Sequence, residues 1–394
     1  RKVFIAGVSL FSIFSLLCGL SGSVYFLIVC RSLQGIASAM VFGTAMAILS
    51  SVYPPHRRGK VLGFSVASTY TGLSLGPVLG GWMNHNMGWR SIFYLIAVLS
   101  LMVPIYAKAR LKGEWAGAEG EKFDLAGSFL YVLGLVAFLY GMSSIASSVW
   151  SRYITILGLA LIILFVRYEL GQIHPLIEMR LFVQNIGFAL SNLAAMINYS
   201  ATFALTFLMS LFLQLILGYS SQAAGMVLLS QPLVMALFSP LAGTLSDRME
   251  PRLVATTGMA LSAFGLLGFV LLSANTPVGL IVANLALIGL GFALFSSPNT
   301  NAVMATVPPR LYGIASSTLG TMRLVGQALS MALVTLLMAI YIGNAKLSDI
   351  HPDILMKSIH TAFILFALLC FMGVFASMAR GKINENRKQT GQDG

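Results

Sequence analysis

Arg1-Lys2-Val3-Phe4-Ile5-Ala6-Gly7 opens the chain, and Arg252-Leu253-Val254-Ala255-Thr256-Thr257-Gly258 repeats its pattern in the second half. The same landmarks then return in order: Leu27-Ile28-Val29 against Leu280-Ile281-Val282, Pro54-Pro55 against Pro308-Pro309, and Gly76 against Gly326. Residues 1–83 are thus weakly echoed by residues 252–333. A unit this long, made of apolar segments, points to duplication of a helical membrane bundle and not to an array of short stacked repeats.

Composition agrees. The chain is 57% hydrophobic and only 9% charged, with a mean hydropathy of +0.86, which excludes a soluble globular domain. Apolar runs give twelve expected spans, about 3–22, 24–51, 61–83, 91–107, 125–143, 153–170, 186–214, 222–245, 253–273, 278–300, 312–341 and 360–379. Backbone polar groups must be satisfied internally in hydrocarbon, so the fold class is all-α and polytopic. The second copy is preceded by two further spans, so symmetry predicts two spans upstream of Arg1. The expected organisation is a first bundle over 1–107, a loop over 108–124, two extra spans over 125–170, a linker over 171–185, a six-span bundle over 186–380 and a polar tail over 381–394.

Sorting the loops alternately to two sides places Arg1, Lys2, Arg57, Arg58, Lys60, Lys108, Arg110, Lys112, Lys122, Arg167, Arg180, Arg248, Arg252, Arg310, Arg380, Lys382, Arg387 and Lys388 on one side. Arg90, Arg152, Lys346 and Lys357 fall on the other. The positive-inside bias then predicts that both ends of the chain and the 108–124 loop are cytoplasmic, in the cell membrane. The net charge of +12 is accordingly a topology signal and not a nucleic-acid surface. Cys18, Cys30 and Cys370 lie inside apolar spans, and the five histidines lack ligand spacing, so neither a disulfide nor a metal site is expected. No P-loop, hydrolase elbow or HExxH occurs; no cofactor and no enzymatic activity are expected.

The third span carries Gly72-x-x-x-Gly76-Pro77-x-x-Gly80-Gly81. Glycines four apart form a side-chain-free stripe that admits a neighbouring helix, and Pro77 removes a backbone hydrogen bond and invites a kink. This pattern resembles the antiporter signature of major facilitator superfamily exporters, where it lies in the fifth span. Arg31-Ser32-Leu33-Gln34-Gly35 resembles the fourth-span motif of that family. Gly243-Thr244-Leu245-Ser246-Asp247-Arg248 resembles the opening of its basic loop motif, departing at Glu250 and Pro251. Phe123-Asp124-x-x-Gly127 and His174-Pro175-Leu176-Ile177-Glu178, around the two central spans, resemble the fourteen-span drug:proton antiporters. The resemblance implies alternating access, export of hydrophobic or amphipathic drugs or metabolites, and exchange for protons. It also makes Asp247 and Arg248 candidates for cytoplasmic contacts that hold one state.

Charges inside spans are expensive and mark cavities or partners. Two qualify. Arg323 lies roughly 20 Å along a helix from Arg310, at about 1.5 Å per residue, and shares a face with Gln327. Arg31 shares a face with Gln34, and the resemblance associates it with proton coupling. No carboxylate occupies the middle of any span; the family's usual acid lies in a first span outside this chain. Paired halves place a solute site between them near the midplane, for which Asn192, Asn198, Tyr199, Gln231, Asn284 and Gln327 are candidates, as are Asn299 and Asn301; bridging between helices competes as a role for each Asn and Gln. Expected partners are the lipid bilayer, a small lipophilic solute and protons; no protein partner can be named. Solute import on the same scaffold, or a non-transporting membrane receptor or assembly partner, are the alternatives.

Overall fold

A computed structural model describes residues 1–111, 113–114, 124–145, 148–172, 175–177, 179–343 and 351–381. Most of the expected 108–124 loop and of the 381–394 tail, with Phe123, His174 and Glu178, lies outside the described residues. Those described form helices without strands: α1 Lys2–Gly19, α2 Val24–Val52, α3 Pro55–Met87, α4 Arg90–Arg110, α5 Leu125–Ser143, α6 Val149–Leu170, α7 Met179–Gln184, α8 Ile186–Thr202, α9 Leu205–Leu211, α10 Ser221–Leu228, α11 Ser230–Arg248, α12 Pro251–Val270, α13 Val278–Ala305, α14 Tyr312–Ile342 and α15 Pro352–Ala379.

Local chemistry sets the helix ends. Ser23, Asp124, Ser148, Asn185 and Ser220 cap α2, α5, α6, α8 and α10 by accepting a free first-turn N–H. Pro55, Pro251 and Pro352 stand in the first turns of α3, α12 and α15, where a missing N–H costs nothing. Gly88, at φ +78°, ends α3 in a conformation that L side chains rarely adopt.

Two expected spans are interrupted. The 186–214 run breaks after α8, where the Ala204 N–H is taken by Ser330 Oγ of α14 at 3.0 Å. It resumes as α9 and widens into a π-helix over Phe212–Ile216, closed by Leu217 N–H to the Phe212 carbonyl at 3.1 Å. The 222–245 run breaks at Leu229 because Pro232 has no N–H for the Leu228 carbonyl.

Eleven helical segments among the described residues are long and apolar enough to cross a membrane. The run expected at 61–83 is not among them. It lies in α3, whose 33 residues reach about 50 Å at about 1.5 Å per residue, long enough to span but made less apolar within 61–83 by a Ser, Thr and Gly-rich middle.

In the first half α1 packs on α2 and α4; in the second, α12 packs on α13 and α15, and α8 on α14 and α15. The halves meet where α3 lies along α11 and α2 against α14, and the α5–α6 hairpin leans on α14 through α5. The main apolar core belongs to the second half, where Phe188, Leu205, Phe212, Met259, Leu285, Phe295 and Phe363 are fully enclosed. Outward faces of α4, α5 and α6 carry large exposed apolar side chains such as Leu99, Ile105, Phe129, Trp150 and Ile163, the inverse of a water-soluble surface and the pattern of a lipid-facing one.

Candidate functional site

Antiparallel helices bring Arg57, Arg58, Lys60, Arg248, Arg252 and Arg310 to one end of the bundle, here called the basic end. There the halves are locked together. Gly59 and Gly63 of α3 face Gly243 and Ser239 of α11: a Cβ on Gly243 would collide with the Gly59 carbonyl oxygen, and one on Gly63 with the Ser239 carbonyl oxygen. Asp247 closes the contact by accepting the Gly59 N–H at 2.7 Å and the Lys60 N–H at 2.8 Å.

Side chains from α13 and α14 complete the layer. Ser297 Oγ donates to the Gly59 carbonyl at 3.2 Å, and Asn301 Nδ2 donates to Ser246 Oγ at 3.2 Å. The buried Arg58 guanidinium donates to the Tyr312 hydroxyl at 2.7 Å and stacks over its ring at 4.9 Å. Arg58 and Tyr312 stand at the same distance beyond their respective proline pairs, so this contact joins equivalent positions of the two repeats. Arg248 is exposed and edges a cleft of about 460 Å³ with His56, Asp247 and Glu250.

Toward the opposite end the halves separate around a cavity of about 1110 Å³, lined by Tyr70, Leu73 and Gly81 of α3 and by residues of α8, α9, α10, α11, α13 and α14. Its inner end is an aromatic layer. Tyr70 and Tyr199 each meet Phe292 edge to face, at 5.8 and 5.1 Å between ring centres, and Met235 packs with them. Gln231 and Gln327 place amides in this otherwise mainly apolar wall.

Of the residues expected in the cavity, the structure brings Tyr199, Gln231 and Gln327 together there. Arg323 does not line it. Its guanidinium stands 5.7 Å from the Tyr199 ring centre and donates to Thr300 Oγ1. Among the described residues it makes no ion pair, and its Nε is buried without a partner. Arg31 lies in the first half, over the Phe93 ring at 4.7 Å, and donates to Gln34 Oε1 at 3.0 Å.

Gln34, Asn192, Asn198 and Asn284 are not in the cavity wall. Gln34 Nε2 donates to Ser15 Oγ of α1 at 2.7 Å. Asn192 donates to the Phe188 carbonyl of its own helix at 2.9 Å, and Asn198 is enclosed with neither amide atom paired. Asn284 bridges α13 to α12 through the Gly265 carbonyl at 2.7 Å; Asn299 and Asn301 likewise bond neighbouring helices. Asn284→Ala should therefore lower thermal stability by about 1 kcal/mol, in line with interhelical bonds in membranes, with an unaltered solute profile; a changed profile at unchanged stability would return Asn284 to the cavity.

The glycine stripe also departs from expectation. No atom of another element lies within 4 Å of a Cβ built on Gly72, Gly76 or Gly81, and Gly80 meets only Ile92 at 3.9 Å. The halves have already diverged at this height, and α3 runs through the motif as one continuous helix. The close approach is made four turns earlier, by Gly59 and Gly63. Their four-residue spacing was available in the sequence, but the basic residues around it read only as a topology signal. Gly76→Leu should leave this conformation intact and penalise one in which the gap closes; equal accessibility of both ends before and after substitution would remove the stripe from the motion.

The sequence pattern of the Major Facilitator Superfamily matches residues 1–177 and 192–393. The chain belongs to this superfamily. Among curated relatives, it is 27% identical to the riboflavin transporter RibZ of Clostridioides difficile over 96% of this chain and 82% of that one. It is 28% identical to the multidrug resistance protein Stp of Mycobacterium tuberculosis over 87% of this chain, and the match spans 64% of Stp. The human organic anion transporter MFSD10 shares the fold, with a TM-score of 0.65 at 14% identity, over 96% of this chain and 76% of that one. This major facilitator protein is thus a multi-pass membrane transporter and not an enzyme.

Proposed function

We propose that the protein exports hydrophobic or amphipathic molecules by alternating access, in exchange for protons. The observation that carries this reading is the large, mainly apolar cavity between halves that are sealed at the basic end and apart at the other. With the basic end in the cytoplasm, as the positive-inside bias requires, this is the conformation open to the outside. Few fixed charges and a wall of Phe and Met suit loose, lipophilic specificity. The α5–α6 hairpin between the halves, and the likeness to a multidrug resistance protein, support kinship with the fourteen-span drug:proton antiporters. Arg323, held against Tyr199 and Thr300 beside the cavity, and Arg31 are the charges assigned to coupling.

A second reading has its own support. Likeness to a riboflavin transporter, and edge-to-face rings at the inner end of the cavity, favour a flat aromatic solute, moved in either direction.

The test reconstitutes the complete protein in vesicles under an imposed pH gradient, with a panel of lipophilic dyes and a flavin. Export predicts gradient-driven dye efflux that Arg323→Ala reduces at least tenfold with insertion unchanged. Flavin movement without dye efflux would select the second reading. Movement of neither would shift weight to a transporter of narrow specificity for a different solute.

A further inference from the structure

The α5–α6 hairpin closes over two carboxyls. Asp124 caps α5, its Oδ1 accepting the Gly127 N–H at 2.8 Å, and Glu169, only 2% exposed, stands in the last turn of α6. Helix packing directs both side chains to the space above Gly127, where an added Cβ would collide with Asp124 Oδ2 and with Glu169 Oε1 alike.

Each carboxyl has one oxygen occupied elsewhere. Asp124 Oδ1 also receives the Tyr168 hydroxyl at 3.4 Å, and Glu169 Oε2 receives the Ile177 N–H at 3.2 Å. The remaining two, Asp124 Oδ2 and Glu169 Oε1, are buried with no hydrogen-bond partner, and both crowd the one space above Gly127. Two acceptor-only oxygens cannot share such a space while both groups are ionised: like charges repel and neither is solvated. A proton between them satisfies both.

We propose that Asp124 and Glu169 are a proton-binding pair, holding one proton between Asp124 Oδ2 and Glu169 Oε1. Its release to solvent at the basic end loosens the hairpin from the 175–177 segment that leads into the second half. The groups that act on the pair among the described residues are the Tyr168 hydroxyl, itself bonded to Gln172, and the Gly127, Leu176 and Ile177 N–H groups. No lysine, arginine or histidine among the described residues forms an ion pair with either carboxyl. This inference concerns a site outside the cavity and does not rest on the direction or substrate of transport.

The sign follows from the shared proton. The native state holds a proton that the unfolded chain releases more readily, so the pair stabilises the fold at lower pH and that contribution is lost as pH rises through its native titration. Infrared spectra of the full-length protein in lipid nanodiscs should contain a protonated-carboxyl C=O band that shifts in D₂O, bleaches as pH is raised, and is missing from both Glu169→Gln and Asp124→Asn. Glu169→Gln replaces the shared proton with an amide N–H and should flatten the pH dependence of the melting temperature. A wild-type spectrum without the band, or a band unchanged in both variants, overturns the proposal. Sodium-dependent stabilisation without the band overturns it too, by placing a cation between the oxygens. The wild-type band and its D₂O shift decide the matter even where a variant fails to fold.

Discussion

Gly243→Val should abolish transport while leaving insertion and helical content intact. The Cβ it introduces meets the Gly59 carbonyl oxygen, and Gly63 Cα lies only 3.0 Å away. Backbone atoms of a neighbouring helix cannot swing aside as a side-chain tip would. Overpacking of this kind costs about 1–3 kcal/mol, and here the cost falls only on the conformation closed at the basic end. At about 1.4 kcal/mol per factor of ten, the equilibrium should move roughly five- to more than a hundredfold toward a basic-end-open state. The measurement is labelling of a cysteine placed at position 305, on the basic-end cleft, by an impermeant thiol reagent; Cys18, Cys30 and Cys370 are buried and contribute little background. Faster labelling with lost transport is expected. Normal transport at the wild-type labelling rate would show that α3 and α11 do not form the gate.

The second large effect belongs to Asp247→Asn. The carboxylate receives two backbone N–H groups, from Gly59 and Lys60, one on each oxygen. An asparagine keeps a single carbonyl for one of them and turns an NH₂ toward the other, donor against donor. Hydrogen bonds to charged groups contribute about 1.5–3 kcal/mol each, so loss of one in the closed state should lower transport about tenfold or more and raise labelling at position 305 in parallel. Because both substitutions weaken the same contact, the double variant should fall well short of the sum of the two. Additive effects would mean that Asp247 acts on something other than α3.

What could be read from the sequence was whatever depends on neighbours along the chain. Apolar run lengths and repeated landmarks such as Pro54-Pro55 and Pro308-Pro309 suffice for the helices and the doubled architecture. Lateral register was not readable. Asn284 and Gln327 look alike as polar residues within spans, yet one reaches the Gly265 carbonyl and the other the cavity, a difference set by rotation of α13 and α14 against helices remote in sequence. Asp124 and Glu169 each look like an unremarkable helix-end acid; only the pairing of α5 with α6 turns them on each other. Tyr70 and Phe292 carry no local mark of a site, because nothing nearby in the chain says that α3 and α13 meet Tyr199 at the same height. Gly59 and Gly63 show the converse, a legible spacing overshadowed by the charges beside it.

Where α3 meets α11, α3 contributes main-chain atoms to the closing contact: glycine backbone against carbonyl, and the Gly59 and Lys60 N–H groups against the Asp247 carboxylate. The cavity wall above it is written in side chains, Phe203, Phe207, Met226 and Met331 among them. The two vocabularies hardly overlap. Natural variation can therefore exchange one wall residue for another and alter what is carried while the machinery that opens and shuts stays the same, so that a new cargo range lies a few point mutations away and demands no new moving part.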